Sequence, residues 1–307
     1  MDTTKLLDIL SGKNVFDKYL ELKESQWFSE SELKDIQLYK FQKLIFHCYA
    51  NVPYYRKFMK KIDMMPSDIK SLDILAEFPI ITKDIIKENY YDFIPVNLKK
   101  INGVKEGQTG GTTGNILLKR TDAITRSYTW GAYKRFEDWM GFKTGDKELM
   151  LMGGHVIHKH SLESVIHDII YKKINKIKNC IVFNPYDTEK EVVEKIIATI
   201  LSQDIKLIRG YSQYLYYLCC IIKEKGIMCK VPIITTTAEP LMQEHRDLFA
   251  SVLGAESYDQ YGCGEIGGIA FECGSHEGLH ITEENVIVEA NENNDLICTD
   301  LNNYSMP

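Results

Sequence analysis

The sequence predicts an α/β fold, a mainly parallel sheet flanked by helices, with a β-rich C-terminal part. Three observations carry this. Between residues 149 and 253, short apolar runs alternate with helical segments of about 10 to 15 residues, the pattern of parallel strands joined by crossovers. Turns rich in glycine or small residues leave strand ends at 109–114, 153–155, 210–212, 237–240 and 261–265. After residue 268 the helical periodicity stops and only short strand-like runs remain.

In chain order, residues 1 to about 60 read as helical. Leu33, Ile36, Phe41, Leu44, Ile45 and Cys48 recur at helical spacing, and Val52-Pro53 interrupts them. Thr82 is placed to cap a helix running to about Tyr91. Ile101–Val104 and Ile116–Leu118 read as short strands on either side of a loop. Leu149–Met152 is a buried strand, Ser161–Lys173 a helix, Asn179–Phe183 a strand and Thr188–Ser202 a helix. Ile205–Ile208, Gln213–Gly226, Val231–Thr236 and Leu241–Leu253 continue the alternation, and Gly254 closes the last helix. The runs 268–272, 279–281, 286–289 and 296–299 read as strands. Residues 1–100 are thus a helical lead packed on the core, 101–268 the α/β core, and 269–307 the β-rich end of the same domain. A chain that stops at Met306-Pro307 just after a strand-like run is expected to be part of a longer protein.

Composition narrows the function. The 307 residues are 44% hydrophobic and 26% charged, so a substantial core is expected. A net charge of −6 argues against a nucleic-acid partner. No apolar run reaches membrane-spanning length, and the residues after Met1 do not read as a signal peptide, so none is expected. Eight cysteines without a CxxC pair read as reduced thiols in a cytoplasmic protein. Oligomeric state stays open, a homodimer included.

Several motifs compete. Thr109-Gly110-Gly111-Thr112-Thr113-Gly114 concentrates backbone N–H groups and hydroxyls, the chemistry of a phosphate nest. A hairpin tip is the plain alternative. It is not a Walker loop, because no Gly-Lys-Ser/Thr triplet occurs. His276-Glu277-Gly278-Leu279-His280 matches the zinc-peptidase pattern, which works only on a helix. Here Gly274 and Gly278 bracket it, and on an extended strand the two histidines would stand about 13 Å apart. Cys273, His276 and His280 with Cys263 leave a structural zinc open, against ordinary packing. Gly262-Cys263-Gly264-Glu265-Ile266-Gly267 matches GxGxxG but falls late and precedes a strand-like run, so a dinucleotide fold is discounted. The same segment puts an aromatic ring and a carboxylate at a strand end, suited to a nucleobase and to Mg²⁺ beside phosphates.

Three segments in order resemble the adenylate-forming ligases: Thr109–Gly114, Thr237-Ala238-Glu239-Pro240-Leu241 and Tyr261-Gly262-Cys263-Gly264-Glu265. The branch that fits is that of the phenylacetate–coenzyme A ligases and the adenylating proteins of capsule polysaccharide biosynthesis. Asn51–Arg56, Phe78–Lys83 and the run from Glu272-Cys273 through Gly278–Ile281 to Val288-Glu289 are similar too. The resemblance implies the large N-terminal domain of such an enzyme, without its small C-terminal domain. It implies ATP-dependent activation of a small-molecule carboxylic acid as an acyl-adenylate, then thioester formation with coenzyme A. Carried over by position, Thr109, Gly110, Gly111, Thr112, Thr113 and Gly114 hold the phosphates, with Thr112 and Thr113 catalytic beside Glu265. Ala238, Glu239, Pro240, Tyr261 and Gly262 line the nucleotide, and Glu265 ligates Mg²⁺. His155, Tyr211 and Gly262 wall the acyl pocket.

Two departures stand out: Ile116-Leu117 replaces the usual Pro-Lys, and Gly264 replaces the usual threonine. They leave room for a non-catalytic nucleotide- or acyl-binding relative, and a zinc-dependent hydrolase is the third reading. The segment Asp300–Pro307 resembles the lead into the family's ribose-gripping strand, so this chain alone is expected to turn over slowly or not at all.

Overall fold

The structure is a computed structural model that describes residues 3–108, 117–153, 162–187 and 189–307. Helices α1 (Thr3–Ser11), α2 (Val15–Ser25), α3 (Glu30–Asn51), α4 (Pro53–Lys61) and α5 (Lys83–Glu88) form the lead. The hairpin β1 (Lys105–Gln108) and β2 (Leu118–Thr121) follows, then α6 (Ala123–Trp139). Next come β3 (Lys147–Leu151), α7 (Leu162–Ile177), β4 (Cys180–Phe183), α8 (Lys190–Ser202), β5 (Ile205–Tyr211), α9 (Ser212–Glu224), β6 (Ile233–Thr237), α10 (Gln243–Leu253) and β7 (Glu256–Tyr258). Strands β8 (Gln260–Tyr261), β9 (Ala270–Glu272), β10 (Leu279–Ile281), β11 (Val286–Ala290) and β12 (Leu296–Asp300) complete the chain. The fold is the α/β architecture that the alternation predicts.

By internal contacts the chain divides into two compact units, neither continuous in sequence. One comprises Met1–Leu7, Phe136–Gly262 and Ala270–His280; the other comprises Asp8–Arg135, Cys263–Ile269 and Ile281–Pro307. The first holds a five-stranded sheet of order β4-β3-β5-β6-β7, every neighbouring pair parallel. Its core joins Leu149 and Leu151 of β3 and Ile208 of β5 to Ile196 and Ile200 of α8, Leu218 and Ile222 of α9, and Phe249 of α10. Gly210 is required in β5, because a Cβ there would lie 3.0 Å from Leu151 O and 3.1 Å from Leu215 Cγ. Gly254 closes α10 at φ +62°, the left-handed cap that the sequence signals. All five strands point one way, so their carboxyl ends share one edge, where ligands sit in such sheets.

In the second unit a capping box starts α3: Ser29 Oγ accepts from Glu32 N and Glu32 Oε2 accepts from Ser29 N. Phe41 and Ile45 of α3 pack with Met59, Ile69, Ile287 and Leu301. The break at Val52-Pro53 falls between α3 and α4, since proline takes the first helical position. Arg135 and Glu284 form a buried pair, Nη1 to Oε1 2.8 Å, with Ser25 Oγ donating to the same carboxylate oxygen.

Some expectations shift. Ile101–Val104 is not a strand; bend and turn occupy 101–103, and β1 begins at Lys105. The helix capped by Thr82 ends at Glu88, and a 3₁₀ turn at Tyr90–Phe93 follows. Helix α6 was not anticipated. It is rich in Ser, Thr and Gly, weak helix formers, yet its hydroxyls bond back along the helix, Ser127 Oγ to Ala123 O at 2.7 Å and Thr129 Oγ1 to Thr125 O at 3.0 Å. Gly131 lets it close on the α2 backbone, where a Cβ would sit 3.0 Å from Tyr19 N. Asp122 caps it, its Oδ1 accepting from Thr125 N at 2.9 Å.

Candidate functional site

The carboxyl edge of the parallel sheet gathers side chains from four strand ends. After β3 comes Gly153, after β4 Asn184-Pro185-Tyr186, at the end of β5 Tyr211, and after β6 Ala238-Glu239. The Tyr211 hydroxyl accepts from Gly153 N at 3.3 Å. The rings of Tyr186 and Tyr211 lie 6.2 Å apart, and a Cβ on Gly153 would meet Tyr186 Cε2 at 3.0 Å and Tyr211 Oη at 3.2 Å. The hydrogen bond with Tyr211 raises the pKa of Tyr186, whose ring is 72% exposed. Tyr211, expected in the acyl wall, thus has a second phenol beside it that sequence reasoning missed. Its signal was an aromatic residue directly after the Asn-Pro turn that ends a strand.

The loop after β6 carries backbone strain and is held by a cap. Ala238 takes φ +70°, a left-handed conformation that costs an alanine about 1 to 2 kcal/mol. The Glu239 carboxylate accepts from Gln213 N at 2.9 Å and so caps the N-terminus of α9. The bond ties the loop after β6 to the helix that starts beside Tyr211. Beneath it Ser212 Oγ and His245 Nδ1 stand 2.8 Å apart, both buried.

At the β7–β8 corner Glu272 is a buried anchor. It receives Asp259 N at 2.6 Å, both carboxylate oxygens lie 3.0 Å from Arg246 Nη2, and His276 Nδ1 stands at 3.0 Å. His276 also reaches Glu256 through Nε2 at 3.0 Å. Burial pulls its pKa down, but the bonds to the two carboxylates outweigh that and raise it. The peptidase pattern fails here: His276 sits in a turn at φ +56°, while His280 is on β10. His280 Nε2 instead meets Cys273 Sγ at 3.1 Å. Among the described residues no three His, Cys, Asp or Glu side chains are grouped to hold a metal, and Cys263, Cys273, His276 and His280, left open as a structural zinc set against ordinary packing, do not form one. Tyr261, on β8, is 44% exposed and offers a ring face.

In the second unit Cys263–Ile266 forms a tight turn, Cys263 N to Ile266 O at 2.9 Å and Ile266 N to Cys263 Sγ at 3.3 Å. It presents Glu265, whose Oε1 is shielded from solvent yet accepts no hydrogen bond from a described residue. Lys83 Nζ stands 3.4 Å from that oxygen. Lys119 Nζ, on β2, donates to the carbonyl of the adjacent Gly264. A buried, unbonded carboxylate oxygen is a hard donor that fits a divalent cation such as Mg²⁺.

Thr109, Gly110, Gly111, Thr112, Thr113, Gly114 and His155 lie outside the described residues. The strands on either side of the loop do pair, Gln108 opposite Leu118 in the antiparallel β1–β2 hairpin.

No family model matches the chain. Phenylacetate-coenzyme A ligase of Aromatoleum evansii is 27% identical over 259 residues, 80% of this chain and 54% of that protein. Protein CapK of Staphylococcus aureus is 23% identical over 255 residues, 82% of this chain and 54% of that protein. A crystal structure of 2-hydroxyisobutyryl-CoA ligase with 2-HIB-AMP and CoA matches with a TM-score of 0.72 at 17% identity, over 91% of this chain and 62% of that one. The chain spans about half the length of the curated relatives it matches. In sequence and fold it resembles the adenylate-forming superfamily on its phenylacetate–coenzyme A ligase-like side, as the order of its motifs implied.

Proposed function

We propose that this chain, phenylacetate–coenzyme A ligase-like in sequence and fold, is the nucleotide- and acyl-binding part of an ATP-dependent acid–thiol ligase. The observation that carries the proposal is Glu265: a shielded carboxylate oxygen to which no described residue donates, in the Tyr-Gly-x-x-Glu segment, with Lys83 Nζ 3.4 Å away. Structural carboxylates are hydrogen-bonded when buried, so an unbonded one suggests a ligand.

The reaction proceeds in two displacements. A carboxylate oxygen of the acid attacks the α-phosphorus of ATP, the bond to the bridging oxygen breaks, and pyrophosphate leaves. The sulfur of coenzyme A then attacks the acyl carbon, loses its proton, and AMP departs. No protein nucleophile is needed, so the chain contributes position and charge. Tyr261 stacks on adenine, with Ala238, Glu239, Pro240 and Gly262 along it. Tyr211 and Tyr186 wall the acyl group with His155. Thr109–Gly114 hold the phosphates, Thr112 and Thr113 by their hydroxyls. Glu265 would hold Mg²⁺, which would supply positive charge against the phosphates. The relatives named phenylacetate-coenzyme A ligase support a carboxylic acid substrate and coenzyme A as acceptor; a role in capsule polysaccharide biosynthesis is the narrower form that the motif resemblance implies.

The test is calorimetric titration of the chain with Mg²⁺ and ATP beside Glu265→Ala. Binding that weakens about tenfold or more in the variant is expected for a lost metal ligand. Equal binding by both proteins contradicts the role of Glu265.

A further inference from the structure

The turn after β9 carries chemistry that the ligase reading does not use. Cys273 follows β9, and the chain returns as β10, the neighbouring strand, so that His280 stands beside it, Nε2 3.1 Å from Sγ. Ser275 Oγ lies 2.9 Å from the same sulfur and can donate to it once the thiol proton is gone. The indole of Trp139 meets the His280 ring edge-on, centroids 5.5 Å apart, and restrains the imidazole. Cys273 is half-buried while Ser275 and His280 are exposed, so a small molecule can reach the sulfur. The other thiols differ. Burial pushes Cys48, Cys180, Cys219, Cys229, Cys263 and Cys298 up, towards the unreactive protonated form. Cys273 is drawn down, chiefly by the Ser275 hydroxyl, with the charge of His276 adding to it against partial burial. A thiol beside an imidazole, with a second donor for the thiolate, is the arrangement of an activated sulfur nucleophile.

We propose that Cys273, with His280 as its base, is a reversible thiolation site for a small disulfide. The inference does not depend on the ligase reading. His280 Nε2 takes the thiol proton, and the Cys273 sulfur attacks one sulfur of the disulfide. That S–S bond breaks, a new one joins Cys273 to the attacked half, and the other half leaves as a thiolate that takes the proton from His280. One disulfide is consumed and one mixed disulfide and one thiol are formed, so no further oxidant is needed. The test is timed exposure of the chain to glutathione disulfide, and in parallel to iodoacetamide, at about pH 7, followed by peptide mass mapping. Cys220, exposed beside the Tyr216 phenol, is the internal reference. Cys273 is expected to react about fivefold faster than Cys220 with both reagents, and dithiothreitol is expected to release its mixed disulfide. His280→Gln is expected to slow Cys273 about fivefold and leave Cys220 unchanged. If that variant does not melt as a folded protein, the comparison within the wild-type chain decides alone. Cys273 reacting no faster than Cys220, or at its wild-type rate in folded His280→Gln, overturns the proposal. Stoichiometric zinc that shields Cys273 in the purified chain overturns it in favour of a metal site.

Discussion

At the scale of single residues, several polar and backbone groups have unusual surroundings. No described residue donates a hydrogen bond to Glu265 Oε1, Ala238 is strained, and Gly153 leaves its amide to the Tyr211 hydroxyl. Glu239 has a task that its sequence motif does not reveal, the cap on α9. Glu239→Ala is expected to lower stability by about 1 kcal/mol, the usual worth of a cap, as read by urea denaturation. Asp300 gives a pH signature. Burial pushes its carboxyl up to about 6, against the amide of Asn302, which bonds to the ionised form. An acid with a raised folded pKa binds its proton more tightly when folded, so it destabilises the fold as pH climbs from about 4 through 6. Asp300→Asn removes that cost. Its melting temperature relative to wild type is expected to rise between pH 4 and pH 7; a constant difference would place no ionisation cost on Asp300.

At the scale of elements, the strength of local signals decided what the sequence could reveal. Val52-Pro53, the Thr82 cap and Gly254 act within a turn of chain, and each boundary they mark is present. Helix α6 escaped because its Ser, Thr and Gly content argues against a helix, and what holds it is contact with α2 and with Glu284. The Asp122 cap was its readable signal. Tertiary ties could not be read: Lys119 to Gly264 spans 145 residues, and Glu239 to Gln213 spans 26. Two predictions belong here. Arg135→Met leaves the Glu284 carboxylate buried without its cation and should cost about 3 to 5 kcal/mol of stability in a denaturant melt. His276 holds the β7–β8 corner through Glu256 and Glu272, and its raised pKa means its stabilisation is complete below about 6.5 and fades as pH rises through the folded value. His276→Gln is therefore expected to destabilise more at pH 5.5 than at pH 8.5; the reverse order would contradict the pairing.

At the scale of the whole molecule, fold class and family resemblance were legible because three motifs occur in one order along an α/β alternation. The loops that the sequence singled out after β3, β5 and β6 leave one edge of the parallel sheet. What could not be read was how the chain folds back to build each unit from separated stretches. No described helix is long and apolar enough to cross a membrane. The central claim is that adenine is bound by Tyr261 and the loop after β6. Photolabelling with Mg²⁺ and 8-azido-ATP, followed by peptide mass mapping, tests it directly. The account predicts label on the peptides containing Tyr261 or Ala238–Pro240, lost when excess ATP competes. Label confined to other peptides, or none that ATP displaces, would contradict it.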